Sequence, residues 1–224
     1  MTQRLLNVGV VAGLLVLTAA ATGAGGWSIV TVDDLPEYLI AGQTTRISYT
    51  VRQHGQTLRD DLAGSIVARQ GGNKVTALVA NARGGWYTAT FVVPTAGVWS
   101  IDVASGWGAG SSIDPIPAIA ADTKAPPPAP LAERGQHLFM AKGCATCHLI
   151  KTVPGTGTIA YGPEIRLSRL QADYVASVLA DPTTASKTYP SGSFPMPNLG
   201  LKPAEIAALT AFLTGPEHRI SAGQ

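Results

Sequence analysis

The residues with the most specific chemistry form a run of five, Cys144-Ala145-Thr146-Cys147-His148, which holds both cysteines of the chain. Two cysteines separated by two residues, with a histidine directly after the second, form the attachment motif for a c-type haem. Each thiol can add to one vinyl group of the porphyrin, and the histidine can supply a ring nitrogen to the iron as an axial ligand. The spacing therefore predicts one covalently attached haem c, bound by Cys144, Cys147 and His148.

Three other uses of this motif fit the sequence less well. A redox Cys-x-x-Cys usually lies at a helix start in a βαβ unit, and no such pattern surrounds these cysteines. A tetrahedral zinc site needs about four ligands, and no second Cys/His pair lies at zinc spacing. A disulfide between cysteines this close would restrict the unfolded chain very little.

The composition indicates a folded protein, and the haem motif indicates an exported one. The chain has 224 residues, of which 46% are hydrophobic and 13% are charged, with a formal net charge of +2. It is too apolar for a disordered protein, and its charge gives no case for nucleic-acid binding. Haems of this type are attached outside the bacterial cytoplasm, so we expect a location on the periplasmic side of the cytoplasmic membrane.

Residues 1–26 carry the features of an export segment. Arg4 precedes a nearly unbroken apolar run over residues 5–21, and small residues follow. This pattern is typical of a secretory signal peptide. The run also falls within the ~17–25 residues of a membrane-spanning helix, so an uncleaved N-terminal membrane anchor is the alternative.

Residues 27–113 are predicted to form an all-β domain. In residues 44–53, Ile47, Tyr49 and Val51 alternate with polar residues, which is typical of a half-buried strand. Short strands between turn signals predict an antiparallel β-sandwich. The other predicted strands are residues 28–32, 64–68, 75–79, 86–93 and 98–104.

This region resembles the small periplasmic immunoglobulin-like domains called YtkA-like or FixH-like. The resemblance lies in an early Leu-Pro, an Ala-Gly-Gln-x-Thr segment and a Gly-Trp-Tyr-x-Ala-x-Phe-x-x-Pro-x-x-Gly-x-Trp segment, within residues 28–105. Some relatives handle copper, but this region offers one histidine, His54, and no cysteine or methionine. We expect His54 to lie at an exposed loop tip and the domain to act as a contact module or spacer.

Residues 114–130 contain six prolines and no aromatic residue. This composition predicts a semi-rigid linker that holds its two neighbouring domains apart and leaves their orientation loose, or one that lies along the surface of a domain. Beyond it, helical spacing predicts helices over residues 131–142 and 203–213. Pro203 suits the first turn of the second helix, and Glu205 favours its positive end.

The last part of the chain, residues 131–224, resembles the class I c-type cytochromes over about residues 131–215, which implies an all-α domain. The resemblance implies that Gly135 and Phe139 of the first helix pack against Phe212 of the last. It also implies that the Pro163 carbonyl, in Tyr161-Gly162-Pro163, holds the ring of the proximal histidine. The segment over residues 194–197 matches the loop that brings the sixth ligand, Met196, and residues 171–180 match a helix beside the haem.

Elimination also favours Met196 as the second axial ligand. Met1 is the initiator, and Met140 lies on the helix that leads into the attachment motif, where packing is the simpler role. Met196 lies between two prolines, which restrict its loop. The rival ligands are His137, on the first helix, and His218, in the C-terminal tail.

Taken together, these features predict a multidomain chain: a signal or membrane helix, an immunoglobulin-like sandwich and an all-α cytochrome c domain. A haem closed by histidine and methionine predicts a carrier of single electrons and not an enzyme. The expected partners are redox proteins, above all a membrane-bound electron-transfer complex, and the membrane itself if the N-terminal helix is uncleaved. The alternatives are a ligand-binding or catalytic open-haem protein and a metal chaperone or assembly factor that works through the β domain.

Overall fold

The structure is a computed structural model that describes residues 26–81, 83–108, 110–159, 161–188 and 195–216. Nearly all of the predicted signal peptide or membrane anchor lies outside these residues. Within the described part of the chain, no helix is long and apolar enough to cross a membrane. The described strands are β1 Ser28–Val32, β2 Leu39–Ile40, β3 Thr44–Gln53, β4 Thr57–Leu58, β5 Ser65–Gln70, β6 Asn73–Leu78, β7 Ala80–Asn81, β8 Trp86–Val92, β9 Gly97–Ala104 and β10 Ser111–Ile119, and the helices are α1 Leu131–Ala141, α2 Cys144–Cys147, α3 Ala172–Ala180, α4 Thr183–Thr188 and α5 Pro203–Thr214.

The N-terminal half is built from two sheets. One has the order β1-β3-β8-β7 with β4 paired to β3, and the other has the order β2-β10-β9-β5-β6. Alternate residues of both sheets point inward, so Tyr49, Tyr87 and Trp99 are fully buried in one core. The rings of Tyr49 and Tyr87 stack with centroids 5.4 Å apart. The predicted β-rich region is therefore confirmed, and the predicted strands 28–32 and 44–53 coincide with β1 and β3.

The structure differs from the sequence prediction at the start of the proline-rich segment. Strand β10 runs through residues 114–119, which the proline content predicts to be linker. Ile116 and Ala118 point into the core, whereas Pro115 and Pro117 are exposed. Proline is tolerated in a strand at a bulge or where its missing N–H is not needed, and the register of β10 shifts next to these prolines. The chain segment between the last strand and the first helix is therefore residues 120–130.

The helical half is organised by the crossing of α1 and α5. A Cβ atom at Gly135 would lie 2.0 Å from the Ala208 carbonyl oxygen and 2.7 Å from the Phe212 Cβ. This contact confirms that the glycine lets the last helix pass closely. The rings of Phe139 and Phe212 meet edge to face, with centroids 5.8 Å apart. The predicted helices over residues 131–142, 171–180 and 203–213 are confirmed as α1, α3 and α5.

The two halves pack directly against each other. All five residues of β1 are buried, because one face of the strand lies in the sandwich core and the other is covered by the end of α1. There, the Thr31 hydroxyl donates to the Lys142 carbonyl at 3.3 Å. A Cβ atom at Gly143 would lie 2.6 Å from the Ile29 side chain and the Val30 carbonyl oxygen. The connecting segment therefore does not hold the two domains apart.

Candidate haem-binding site

The structure brings all five predicted site residues to the wall of one cavity of about 330 Å³. Cys144, Cys147, His148, Pro163 and Met196 come from three separate stretches of the chain and all line this cavity. Its volume lies within the ~300–1,000 Å³ range of cofactor sites. Much of the remaining wall is apolar and comes from the helices, including Phe139, Val175, Leu179, Leu209 and Leu213.

The attachment motif follows a sharp turn at the end of α1. Gly143 takes a left-handed conformation with φ of 78°, and the single turn of α2 then places both cysteines on the cavity wall. Burial raises the pKa of the Cys144 thiol to about 12 and that of the Cys147 thiol to about 11. Both thiols are therefore protonated near neutral pH in the folded chain.

His148 is held by a backbone carbonyl in the way that the resemblance implies. Its Nδ1 lies 3.0 Å from the Pro163 carbonyl oxygen. Since a carbonyl can only accept, Nδ1 carries the proton, and Nε2 of the neutral ring keeps its lone pair for a metal. Burial lowers the pKa of His148, and the bond to Pro163 opposes that effect only in part. The neutral ring that can bind iron is therefore the favoured form.

Gly162 provides the space for this arrangement. A Cβ atom at position 162 would lie 2.5 Å from Cε1 and 2.6 Å from Nδ1 of the His148 ring. The backbone before Pro163 thus passes in direct contact with the imidazole. A side chain at this position would push the ring away from its hydrogen-bond acceptor.

Met196 lines the same cavity as His148, within an irregular segment between Pro195 and Pro197. Its side chain is half-buried and packs on the hydrophobic core. Met140 is buried in α1, as the packing role predicts. The rival His137 is not among the described residues that line the cavity, and His218 lies outside the described residues.

The β domain also contributes to this cavity, which no sequence pattern predicts. Trp27 and Ile29, at the start of the first sheet, line it together with the helical residues. The Trp27 ring packs on Tyr161, with centroids 5.1 Å apart, and its centroid lies 5.6 Å from that of His54. His54 lies in the turn between β3 and β4, as the loop-tip expectation has it, but its side chain is half-buried next to the cavity wall and not exposed. No spacing in the sequence links these residues to the haem motif.

The residues present fit a haem c. Paired thiols, a neutral imidazole with a fixed tautomer and a thioether line one largely apolar cavity, which is the donor set of a closed c-type haem. Among the described residues, no group of three or more His, Cys, Asp or Glu side chains is arranged to hold a metal ion.

Comparison with known proteins gives a family match in the C-terminal part of the chain. Residues 132–215 match the family model described as Cytochrome c, which supports a c-type cytochrome domain and, with it, covalently bound haem and electron transport. The match covers less than half of the chain. No curated protein matches the chain.

Solved structures show only remote likeness. Domains 1–6 of the surface layer protein SbsC are 17% identical, with a TM-score of 0.32, over 45% of this chain and 14% of that one. Domains 4 and 5 of the same S-layer protein are 16% identical, with a TM-score of 0.29, over 43% of this chain and 46% of that one. A β-glucosidase from Listeria innocua is 13% identical, with a TM-score of 0.29, over 43% of this chain and 16% of that one. Likenesses this low carry no argument about function.

Proposed function

We propose that this chain is a monohaem c-type cytochrome that carries single electrons, with thioether bonds at Cys144 and Cys147 and axial ligation by His148 and Met196. The observation that carries the proposal is that an oriented imidazole and a thioether line one apolar cavity beside both cysteines. Bound haem would supply an iron that changes between Fe(II) and Fe(III) without releasing a ligand.

The residues around the cavity suit this task. The Pro163 carbonyl fixes the direction of the His148 ring, and the backbone at Gly162 supports that ring from the side. A hydrogen bond of this kind makes a ligating histidine more basic, whereas a methionine thioether favours the reduced metal and raises the potential. Apolar side chains such as Leu209 and Leu213 limit the access of water. Both axial positions are then filled by the protein, which favours electron transfer over binding of substrate.

We further propose that the protein works on the periplasmic side of the cytoplasmic membrane, either anchored or secreted. Its expected partners are redox proteins, and most directly a membrane-bound complex in which it is a subunit or a docked donor or acceptor. The second domain supports the subunit role, because a free shuttle needs only the haem domain. Affinity purification from membranes with mass spectrometry tests this proposal. A monomeric protein that brings no membrane partner with it would weaken the subunit role.

The haem assignment is tested by mass and by absorption. We expect the denatured, matured protein to keep the mass of one haem, and the Cys144→Ala/Cys147→Ala variant to lose it. The oxidised protein should show the weak far-red band of methionine bound to Fe(III). We expect Met196→Ala to lose this band, whereas the control Met140→Leu keeps it because Met140 packs in α1.

Two outcomes would contradict the proposed ligation. One is an oxidised parent protein without the far-red band and with a spectrum that Met196→Ala leaves unchanged. The other is rapid binding of carbon monoxide by the reduced parent at neutral pH, which would favour the open-haem alternative. For the β-domain alternative, the test is copper titration of the haem-loaded protein, since stoichiometric binding there would favour a metal chaperone.

A further inference from the structure

The turn between β3 and β4 touches the segment that carries Met196. This turn, residues 54–56, is called the β3–β4 turn below. The Gln56 side-chain nitrogen donates to the Pro195 carbonyl oxygen at 2.9 Å. On the other side of the methionine, a Cβ atom at Gly55 would lie 3.6 Å from the Pro197 ring. The β3–β4 turn is thus bonded to Pro195 and lies next to Pro197, the two chain neighbours of Met196.

The β3–β4 turn has a conformation set by its own backbone. His54 and Gly55 are both left-handed, with φ of 50° and 71°. The Gln56 N–H donates to the Gln53 carbonyl at 2.9 Å, and the His54 N–H donates to the Trp27 carbonyl at 3.0 Å. These bonds tie the turn to the ends of two strands of the sheet. It can therefore act as a fixed support for a less regular neighbour.

The same domain is also fixed next to the attachment motif. Strand β1 lies against Gly143, the residue directly before Cys144. The Trp27 ring, at the start of β1, lines the cavity, and one of its atoms lies 3.5 Å from the Cβ position of Gly55. One rigid sheet therefore contacts the chain at the cysteine side of the cavity and at the methionine side.

We propose that the β3–β4 turn is a positioning element for the Met196 segment, and that Gln56 acts by holding the Pro195 carbonyl. The inference rests on the proposed function, in which Met196 is an iron ligand. Residues 195–200 have no regular secondary structure to hold the methionine in place. A hydrogen bond from a separately folded sheet lowers the population of states in which this segment swings away. The N-terminal domain then stabilises the closed haem and is more than a spacer.

The test uses the full-length, haem-loaded protein and the variant Gln56→Glu. A glutamate has nearly the same shape, but its carboxylate accepts and cannot donate to a carbonyl oxygen. Gln56→Ala removes the donor without adding charge. Gln43→Glu is the matched control, because Gln43 is also exposed in a turn of the β domain and the charge change is the same.

The measurements are the rate at which carbon monoxide binds the reduced protein, the far-red band and the reduction potential. Carbon monoxide must wait for the methionine to leave, so its binding reports how often the Met196 segment opens. We expect both Gln56 variants to bind carbon monoxide about two- to fivefold faster, the factor that one exposed hydrogen bond supports. We also expect their far-red band to disappear at a lower temperature and their potential to fall. Gln43→Glu should match the parent.

The possible failures are distinguishable. If the parent protein lacks the far-red band, methionine ligation fails and the inference fails with it. If the parent shows the band but both Gln56 variants match Gln43→Glu in carbon monoxide binding and potential, the positioning role is overturned while methionine ligation stands. Faster binding by Gln56→Glu and Gln43→Glu alike would mean that charge alone is responsible, and would also overturn the inference.

Discussion

The His148 ring is held from two directions. The Pro163 carbonyl fixes its tautomer through the 3.0 Å contact with Nδ1, and Gly162 lets the backbone come into contact with the ring. The first interaction leaves the lone pair of the neutral ring on Nε2, and the second sets the position of the ring. A side-chain substitution cannot remove the Pro163 carbonyl. The support of the His148 ring can therefore be tested by a substitution at Gly162.

We expect Gly162→Ala to destabilise the haem-loaded protein by about 1–3 kcal/mol, the usual cost of overpacking. The added Cβ would lie 2.5 Å from the imidazole, so the ring must move away from Pro163. Denaturant unfolding followed by haem absorption measures the change. The control is Gly72→Ala, since a Cβ at Gly72 meets nothing within 4 Å and its φ is not left-handed. Equal midpoints for the two variants would show that the ring has room to adjust.

The residues of the cavity were predictable to very different degrees. Cys144, Cys147 and His148 lie within five consecutive residues, so their spacing alone predicts covalent attachment of haem. The contact of Pro163 with His148 was predicted only through a resemblance. Every residue has a backbone carbonyl, so the residue type does not show which carbonyl accepts a hydrogen bond from the histidine ring. Trp27 and Gln56 were missed because their contacts depend on how two domains dock, which no local pattern records.

Among the elements, α1 and α5 show what a single glycine allows. The two helices approach so closely at Gly135 that the Ala208 carbonyl occupies the space of a side chain. The residues of their contact came from the resemblance to the class I c-type cytochromes, whereas their apolar spacing was predictable from the sequence itself, because a helix repeats its faces regularly. Strand β10 was not, because Pro115 and Pro117 dominate its composition. Its buried residues, Ile113, Ile116 and Ala118, are too few to outweigh that signal.

We expect Gly135→Ala to lower the free energy of unfolding by at least about 1 kcal/mol. Two effects oppose each other, because alanine is the better helix former by about 1 kcal/mol. The clash decides whether the variant is less stable, because a Cβ atom would lie 2.0 Å from a backbone oxygen. Rotation of a side chain cannot relieve a clash with backbone. Overpacking usually costs about 1–3 kcal/mol, and contact with backbone belongs at the upper end. Far-UV circular dichroism during denaturant unfolding measures the result, and an unchanged or raised midpoint would contradict it.

For the whole molecule, one feature that joins the two domains is a cluster around the buried Lys142 ammonium. The Lys142 ammonium lies 2.6 Å from a Glu205 carboxylate oxygen, and only 4% of the Lys142 side chain is exposed. The ammonium also donates to the Asp33 carbonyl of the β domain at 2.5 Å. The other Glu205 oxygen accepts from the Lys202 N–H at 2.9 Å and so caps α5. One cluster therefore fastens α1, the start of α5 and the end of β1 together.

Because this cluster crosses the interface, we expect Lys142→Met to destabilise both domains at once. Removing one partner leaves the other charge largely buried, which costs about 3–5 kcal/mol. The double variant Lys142→Met/Glu205→Gln should recover at least about 1 kcal/mol of that loss, since glutamine is neutral and still accepts at the cap. Tryptophan fluorescence reports on the β domain, because all four tryptophans precede the haem domain. The unfolding midpoints measured by haem absorption and by tryptophan fluorescence should therefore shift together. Lys151→Met, which breaks an exposed pair with Glu164, should leave both transitions nearly unchanged. A haem transition that moves alone would mean that the domains unfold independently.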